Sequence, residues 1–242
     1  MRVETQCRGG ALLLIGLLLM QIFAGLSPAS SKLSETPPSM NINSSLIDNG
    51  DGTWTVTYSI GMDTTLDSGN VTTNKDSLSR FEVGWTAEQQ ETRIGLLGVD
   101  LNTEGFPTNT TIESASLHLH LDVTSGLVDT QVWSVIRQDW VLEEATWVTR
   151  NQNSQWSTSG ALGNLDSGAW QDRQTILPNT SSVEFEVTQA VELAQYRQIN
   201  GQDSRAGFLL TPGFGSDMGV ASFHASESSL PSHRPVLEIT FR

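Results

Sequence analysis

The sequence predicts an all-β fold, namely a β-sandwich with jelly-roll-like topology and one short helix. Charged residues make up only 17% of the 242 residues, while turn-forming and hydroxyl-bearing residues are abundant. Short segments alternate between apolar and polar residues, which is the period of a β-strand. Most of these segments are bounded by Gly, Pro, Asn or Asp, the residues that favour turns. A closed barrel would give the same pattern.

The N-terminal segment predicts export. Arg2 and Arg8 precede an apolar run over residues 11–26, and the small residues Ser27 and Ala29 follow it. This pattern predicts a secretory signal peptide over residues 1–29, with an uncleaved N-terminal anchor as the alternative. Residues 30–39 are rich in Ser and Pro and predict a flexible tether. We therefore expect an extracellular protein, secreted or at the cell surface, whose sandwich domain spans residues 40–242.

The charge of the chain limits its partners. The sequence has 27 Asp and Glu against 13 Lys and Arg, a formal net charge of −14. Affinity for nucleic acid comes from clustered Lys and Arg, so a nucleic-acid partner is not expected. No membrane contact is expected, except through residues 1–29 in the alternative in which they stay as an N-terminal anchor. The only cysteine, Cys7, lies in the predicted signal peptide, so the mature domain has no disulfide.

The first strands form a predicted hairpin. Trp54, Val56 and Tyr58 alternate with threonines, and residues 48–52 read Asp-Asn-Gly-Asp-Gly, a turn sequence. The turn joins this strand to a weaker pattern over residues 40–47. A structural calcium ion in this turn is the alternative, although the downstream Glu of a calcium loop is lacking.

The remaining strands follow in short segments. They are predicted at residues 78–85, 93–101, 111–123, 130–136, 183–187, 207–211, 220–224 and 235–241. Residues 188–197 instead predict one short helix, with Thr188 able to cap it. On the strand at 111–123, Leu117, Leu119 and Leu121 are predicted to face inward.

Eight short motifs follow one another between residues 63 and 237. They are Asp63–Asp67, Leu96–Leu101, Ile112–Leu119, Trp140–Trp147, Trp156–Asp166, Phe185–Thr188, Phe223–Glu227 and Arg234–Leu237. Together they resemble the DNRLRE-type domain, a disaggregatase-related module that is also classed among carbohydrate-binding modules. Gly98 and Val99 stand where that family usually has Arg-Phe, and the segment from residue 67 to residue 92 is longer than the family pattern predicts. The chain therefore resembles a divergent member of that family.

The resemblance implies a β-sandwich on a secreted or surface protein that acts in glycan binding or cell-surface structure, and it does not imply catalysis. We therefore expect a non-catalytic carbohydrate-binding module. A structural or adhesive module without a sugar site is the first alternative, and a polysaccharide-active enzyme is the second. No catalytic motif is evident in the sequence. A glycosidase, however, needs only two opposed carboxylates, and the chain has 27 acidic residues.

The tryptophans divide into two groups by their neighbours. Trp54, Trp133, Trp140 and Trp147 lie in apolar strand-like or motif contexts and are predicted to be core residues. Trp85, Trp156 and Trp170 lie among small polar residues and are predicted to be on loops.

The predicted carbohydrate site lies in the stretch 151–172. There Trp156 and Trp170 are expected to stack on sugar rings, while Asp166 and the adjoining Arg173 are expected to bond sugar hydroxyls or a uronate. Because the chain is strongly acidic, the expected ligand is a neutral polysaccharide or glycan. Trp85 is the next aromatic candidate.

The sequence also contains candidate metal ligands and glycosylation sites. His118 and His120 share one strand face, but zinc needs at least three protein ligands and no third is evident, so no metal or other cofactor is expected. Asn-x-Ser/Thr acceptor patterns occur at Asn43, Asn70, Asn109 and Asn179, which are the predicted glycosylation sites.

Overall fold

The computed structural model describes residues 45–86, 90–214 and 218–242. The predicted fold class is confirmed, since antiparallel strands and one helix make up a sandwich. The strands are β1 Ser45–Asp48, β2 Trp54–Ser59, β3 Met62–Asp67, β4 Arg80–Trp85, β5 Thr92–Asp100, β6 Ile112–Thr124, β7 Val128–Val135, β8 Thr149–Asn151, β9 Ser154–Gln155, β10 Ser167–Ile176, β11 Ser182–Glu186, β12 Arg205–Pro212, β13 Val220–His224 and β14 Val236–Phe241. The helix α1 is Thr188–Ile199, and short 3-10 turns occupy Ser159–Ala161 and Pro231–His233. The predicted signal peptide, the tether and Asn43 lie outside the described residues.

Two layers of strands form the sandwich. In sheet A, β2 pairs with β1 and β14, and β6 pairs with β14 and β11. In sheet B the order is β13-β4-β5-β12-β7-β10, with β3 also paired to β5. The long strand β6 belongs to both layers, because its last residues, Leu121 to Thr124, pair with β13. Strand neighbours are mostly distant in sequence, as jelly-roll-like connections require.

The main core lies between the two layers. Leu117 and Leu119 of β6 are fully buried in it together with Phe208 and Leu210 of β12. Leu121 packs against the same core while partly exposed. The predicted inward face of β6 is therefore confirmed, and burial of these side chains supplies the main favourable free energy of folding.

Helix α1 closes one side of this core. Ala190, Val191 and Ala194 are its buried apolar residues. The predicted capping by Thr188 is wrong, because the N-cap is Val187 and has no side-chain cap bond. The Oγ1 of Thr188 instead accepts a hydrogen bond from the backbone N–H of Ala115 at 2.8 Å, which ties the helix to β6.

A second apolar cluster lies on the outer face of sheet B. Leu97 and Phe208 point into the sandwich, whereas their chain neighbours Leu96 and Leu209 belong to the outer cluster. This alternation is expected for strands buried on both faces. The outer cluster is covered by residues 137–166, which we call the covering segment.

Buried side chains attach the covering segment to the sheet. Trp140, Ala145 and Trp156 are buried against Leu66, Ile94 and Leu209 of the outer face. The guanidinium of Arg205 lies over the Trp140 ring, 4.7 Å from its centroid, and donates to the carbonyl of Trp140 at 2.8 Å. The segment leaves part of the outer face uncovered.

Candidate functional site

The uncovered part of sheet B forms a groove of about 360 Å³ beside the covering segment. This volume lies in the range of small-ligand sites, about 300–1,000 Å³. We call it the outer groove. Its described lining residues are Trp85, Thr92, Ile94, Gln131, Trp133, Leu162, Ser167, Leu209, Thr211, Pro212 and Phe214.

Residues of five strands, β4, β5, β7, β10 and β12, line the outer groove. Trp85 lies at the end of β4, which pairs with the first residues of β5 on the same edge as β12. Trp133 lies on β7, which pairs with β12. The two tryptophans therefore belong to different strands of one groove lining, and a ligand that fills the groove can contact both rings.

Trp133 is held in place by its neighbours on β12. Its register partner is Leu209, and its indole Nε1 donates a hydrogen bond to Oγ1 of Thr211 at 3.2 Å. The ring is only partly buried and packs on the edge of the outer cluster. One part of the indole is thus fixed by the protein while another part faces the groove.

Trp85 is positioned by a close approach of two backbones. Its N–H donates to the carbonyl of Gly219 at 2.9 Å. The preceding residue, Gly84, has a φ of 147° and no room for a Cβ, which would lie 2.1 Å from the same carbonyl oxygen. Glycine at position 84 therefore allows β4 to bring Trp85 to the groove.

The described lining residues carry no formal charge. Thr92, Gln131, Ser167 and Thr211 supply hydroxyl and amide groups among the aromatic and aliphatic side chains. Phe214 is fully exposed at the rim. Such a surface offers stacking faces and neutral hydrogen-bonding groups, which suits an uncharged polar ligand better than an ion.

The predicted exposure of Trp156 is wrong. The side chain is only 5% exposed, and its Nε1 donates to the carbonyl of Thr146 at 2.9 Å. It lies in the outer cluster with Trp140. A loop tryptophan among polar neighbours can fold back onto an apolar sheet face, and Trp156 does so because that face would otherwise be exposed to water.

Asp166 is also internal. It has no solvent exposure, and its Oδ2 accepts hydrogen bonds from Oγ of Ser157 at 2.6 Å and from the N–H of Thr158 at 3.1 Å. Because this carboxylate is buried, it cannot bond sugar hydroxyls at the surface as the sequence predicted. Asp166 instead stabilises the turn at residues 157–163 of the covering segment.

Trp170 and Arg173 lie on β10. The sequence predicted no strand here and placed Trp170 on a loop. Trp170 is 50% exposed and is the register partner of Trp133, so both side chains leave the sheet on the groove side. Nε of Arg173 donates to Oδ1 of Asp129 at 2.6 Å. The structure thus places Trp170 beside Trp133 on the neighbouring strand, although neither Trp170 nor Arg173 is among the described lining residues of the outer groove. Trp156 and Asp166 lie instead in the covering segment.

Trp133, which the sequence predicts to be a core residue, lines the outer groove and is only partly buried. Val132 points into the sandwich core, so strict alternation puts Trp133 on the opposite face. This signal was present in the sequence. Which part of that opposite face the covering segment leaves open could not be read from it.

Three of the four predicted glycosylation sites lie in the part of the chain that the structure describes. Asn70, Asn109 and Asn179 are exposed, and glycosylation of each stays a prediction. Nδ2 of Asn70 donates to Oδ2 of the buried Asp67 at 3.1 Å, so this asparagine also has a structural contact.

The turn at residues 48–52 forms the predicted hairpin between β1 and β2. Oδ1 of Asp48 accepts from the N–H of Gly50 at 2.8 Å, and Oδ1 of Asp51 accepts from the N–H of Thr53 at 3.0 Å. Within the described residues, no group of three or more His, Cys, Asp or Glu side chains is placed to hold a metal ion. Calcium in this turn stays a prediction.

No protein-family model and no curated protein matches this chain. The resemblance to the DNRLRE-type domain therefore stays a prediction. In the part of the chain that the structure describes, no helix has the length and apolar character needed to cross a membrane.

Proposed function

We propose that this protein is a non-catalytic carbohydrate-binding module and that its outer groove binds a neutral glycan. The observation that carries the proposal is the pairing of Trp85 and Trp133 in one uncharged groove. Aromatic rings stack on the apolar faces of sugar rings, and the hydroxyl and amide groups between the two tryptophans can bond sugar hydroxyls.

The placement of the tryptophans favours a chain-like ligand. Trp85 at the end of β4 and Trp133 on β7 both line the groove, and Trp170 on β10 is the register partner of Trp133. We therefore propose an oligosaccharide segment as the ligand, because a chain of linked sugars can contact more than one of these rings.

The residues that line the groove support binding without catalysis. None of the described residues that line the groove is Asp or Glu, whereas glycoside hydrolysis usually needs two carboxylates that flank the bond. The acidic chain and the uncharged lining also favour neutral over uronate polymers. Action outside the cell is proposed on the N-terminal sequence of residues 1–29.

A glycan array probed with the full chain tests the proposal, with Trp85→Ala and Trp133→Ala as variants. Each is expected to lower affinity for the bound glycan by about tenfold or more, because truncating an interface tryptophan often costs about 2 kcal/mol or more. Tyr196→Ala is the control, since Tyr196 is 63% exposed on α1 and does not line the groove. Failure of every glycan to bind would favour the structural or adhesive alternative.

A further inference from the structure

All four histidines of the chain lie close together although they are far apart in sequence. His118 and His120 are on β6, His224 ends β13, and His233 is in the 3-10 turn that precedes β14. We call them the histidine cluster. Its position is where β6 and β13 meet residues 225–235, which we call the β13–β14 loop.

Ring contacts join the loop to both strands. The His233 ring lies 4.9 Å from that of His120, centroid to centroid, with the planes only 15° apart. It also lies 4.9 Å from the His224 ring, at 55°. Nδ1 of His224 is 3.0 Å from Oγ of Ser228 in the loop. The imidazoles therefore form a continuous contact from β6 through the loop to β13.

The charged groups around the cluster come from several elements. Oδ1 of Asp122 on β6 is 3.8 Å from Nε2 of His224, and the other oxygen of Asp122 pairs with Arg80 of β4 at 3.0 Å. Glu184 of β11 lies 3.9 Å from Nδ1 of His118, the ring outside the stack. In the loop, Arg234 donates to the carbonyl of Ser228, and Oε1 of Glu227 bonds Ser226.

We propose that the histidine cluster is a pH-sensitive clasp: neutral rings hold the β13–β14 loop against β6 and β13, and protonated rings repel one another and release it. Two imidazolium rings at 4.9 Å in a partly buried site would repel strongly. Asp122 offsets only part of this repulsion, because Arg80 already pairs with it.

The environments of His120 and His224 determine whether acid strengthens or weakens the clasp. Burial lowers the pKa of His120, and the neighbouring His233 lowers it further. Burial also lowers the pKa of His224, against the opposite effect of Asp122. The unfolded chain has histidine pKa values near 6.5. The clasp therefore contributes its full stability above about pH 6.5, and this contribution is lost as the pH falls below that value.

Asp63 also holds this loop, and its titration changes stability with pH in the opposite direction to that of the histidines. Oδ2 of Asp63 accepts a hydrogen bond from the N–H of Ser226 at 2.8 Å, and burial raises the pKa of Asp63 to about 7. Protonation of this carboxyl in mild acid is thus favoured by the folded state. Acid release of the loop would not come from Asp63.

Hydrogen exchange of the full chain, followed by mass spectrometry at about pH 7.5 and about pH 5.5 and corrected for intrinsic rates, tests the clasp across the histidine range. Residues 225–235 are expected to lose about tenfold of their protection at the lower pH, which lies about one pH unit below the histidine pKa of the unfolded chain. Strands β5 and β12 should keep theirs. His233→Gln should remove most of this pH dependence, while His118→Gln, outside the stack, should retain it.

Either of two results would overturn the proposal. One is a loop whose protection in the wild-type chain is the same at both pH values. The other is a His233→Gln chain that loses as much protection in acid as the His118→Gln chain. If His233→Gln does not fold, an NMR titration of the wild-type imidazoles decides, because His120 and His224 titrating at or above about pH 6.5 would contradict the clasp.

Discussion

The indole Nε1 of Trp133 donates a hydrogen bond to Oγ1 of Thr211 at 3.2 Å, across the β7–β12 pair. This bond fixes the ring that we propose as a sugar platform. Thr211→Val keeps the shape of the side chain but removes the acceptor. Because such a bond is worth about 0.5–1.5 kcal/mol, glycan affinity should fall by about two- to tenfold in titration calorimetry.

Thr240→Val is the matched control for that substitution. Oγ1 of Thr240 lies 2.9 Å from Oγ1 of Thr55 on sheet A, away from the groove. The control should lose a similar amount of stability and no affinity. Equal affinity of the Thr211→Val chain and the wild type would show that the ring orientation does not matter for binding.

Trp156→Ala should destabilise the protein rather than act on binding alone. The side chain is 5% exposed in the outer cluster, so its removal should cost about 3–5 kcal/mol through the cavity that it leaves. Trp170→Ala removes a ring that is 50% exposed and should cost less than about 1 kcal/mol. Denaturant midpoints of the two variants provide the comparison. Similar losses would mean that Trp156 is not a packed residue.

Leu119→Ala tests the register of the longest strand. Leu119 is fully buried between the sheets, so the substitution should lower the free energy of unfolding by about 2–5 kcal/mol. Val123→Ala on the same strand is the control, because Val123 is 55% exposed and should change stability by about 0.5 kcal/mol or less. Equal losses in urea unfolding would contradict the assigned inward face.

The sequence predicted the fold class because strand alternation and turn residues are local signals. Strand β10 was missed: Ser167, Gly168 and Ala169 give it no apolar alternation, and its pairing with β7 carries irregular register around Trp170. β3 was found only as a motif of the resembled family. Its residues Asp63, Thr64 and Thr65 are polar yet buried, and burial of polar strand residues depends on contacts from other elements.

The candidate site was harder to predict than the fold. Trp156 and Trp170 have similar neighbours in sequence, yet Trp156 is buried between the covering segment and sheet B, whereas Trp170 is half exposed. The difference arises from which part of sheet B the covering segment reaches, a tertiary property. The stacking of His233 on His120 likewise joins residues that no local pattern connects.

Asp63→Asn should reduce the pH dependence of stability. Burial raises the pKa of Asp63 from 3.8 to about 7, so the folded state favours the protonated carboxyl. Its favourable contribution is complete below about pH 3.8 and is lost as the pH rises through about 7. At 1.36 kcal/mol per pKa unit, the shift is worth roughly 4 kcal/mol at most.

Asparagine cannot ionise, while its Oδ1 can still accept the bond from Ser226. Relative to the wild type, the Asp63→Asn chain should therefore gain stability as the pH rises from about 4 to about 8. Urea unfolding at both pH values measures this change, and Asp51→Asn, at an exposed turn, is the control. A stability difference from wild type that stays constant over this range would contradict the raised pKa of Asp63.

The most direct test of the account is the affinity of the Trp85→Ala, Trp133→Ala double variant for a neutral glycan that the wild-type chain binds. Calorimetry should show binding by the wild type and by Tyr196→Ala, and a loss of about a hundredfold or more in the double variant, if each ring contributes about tenfold. Unfolding transitions of the three proteins should remain cooperative. A folded double variant that binds with wild-type affinity would contradict the outer groove as the glycan site.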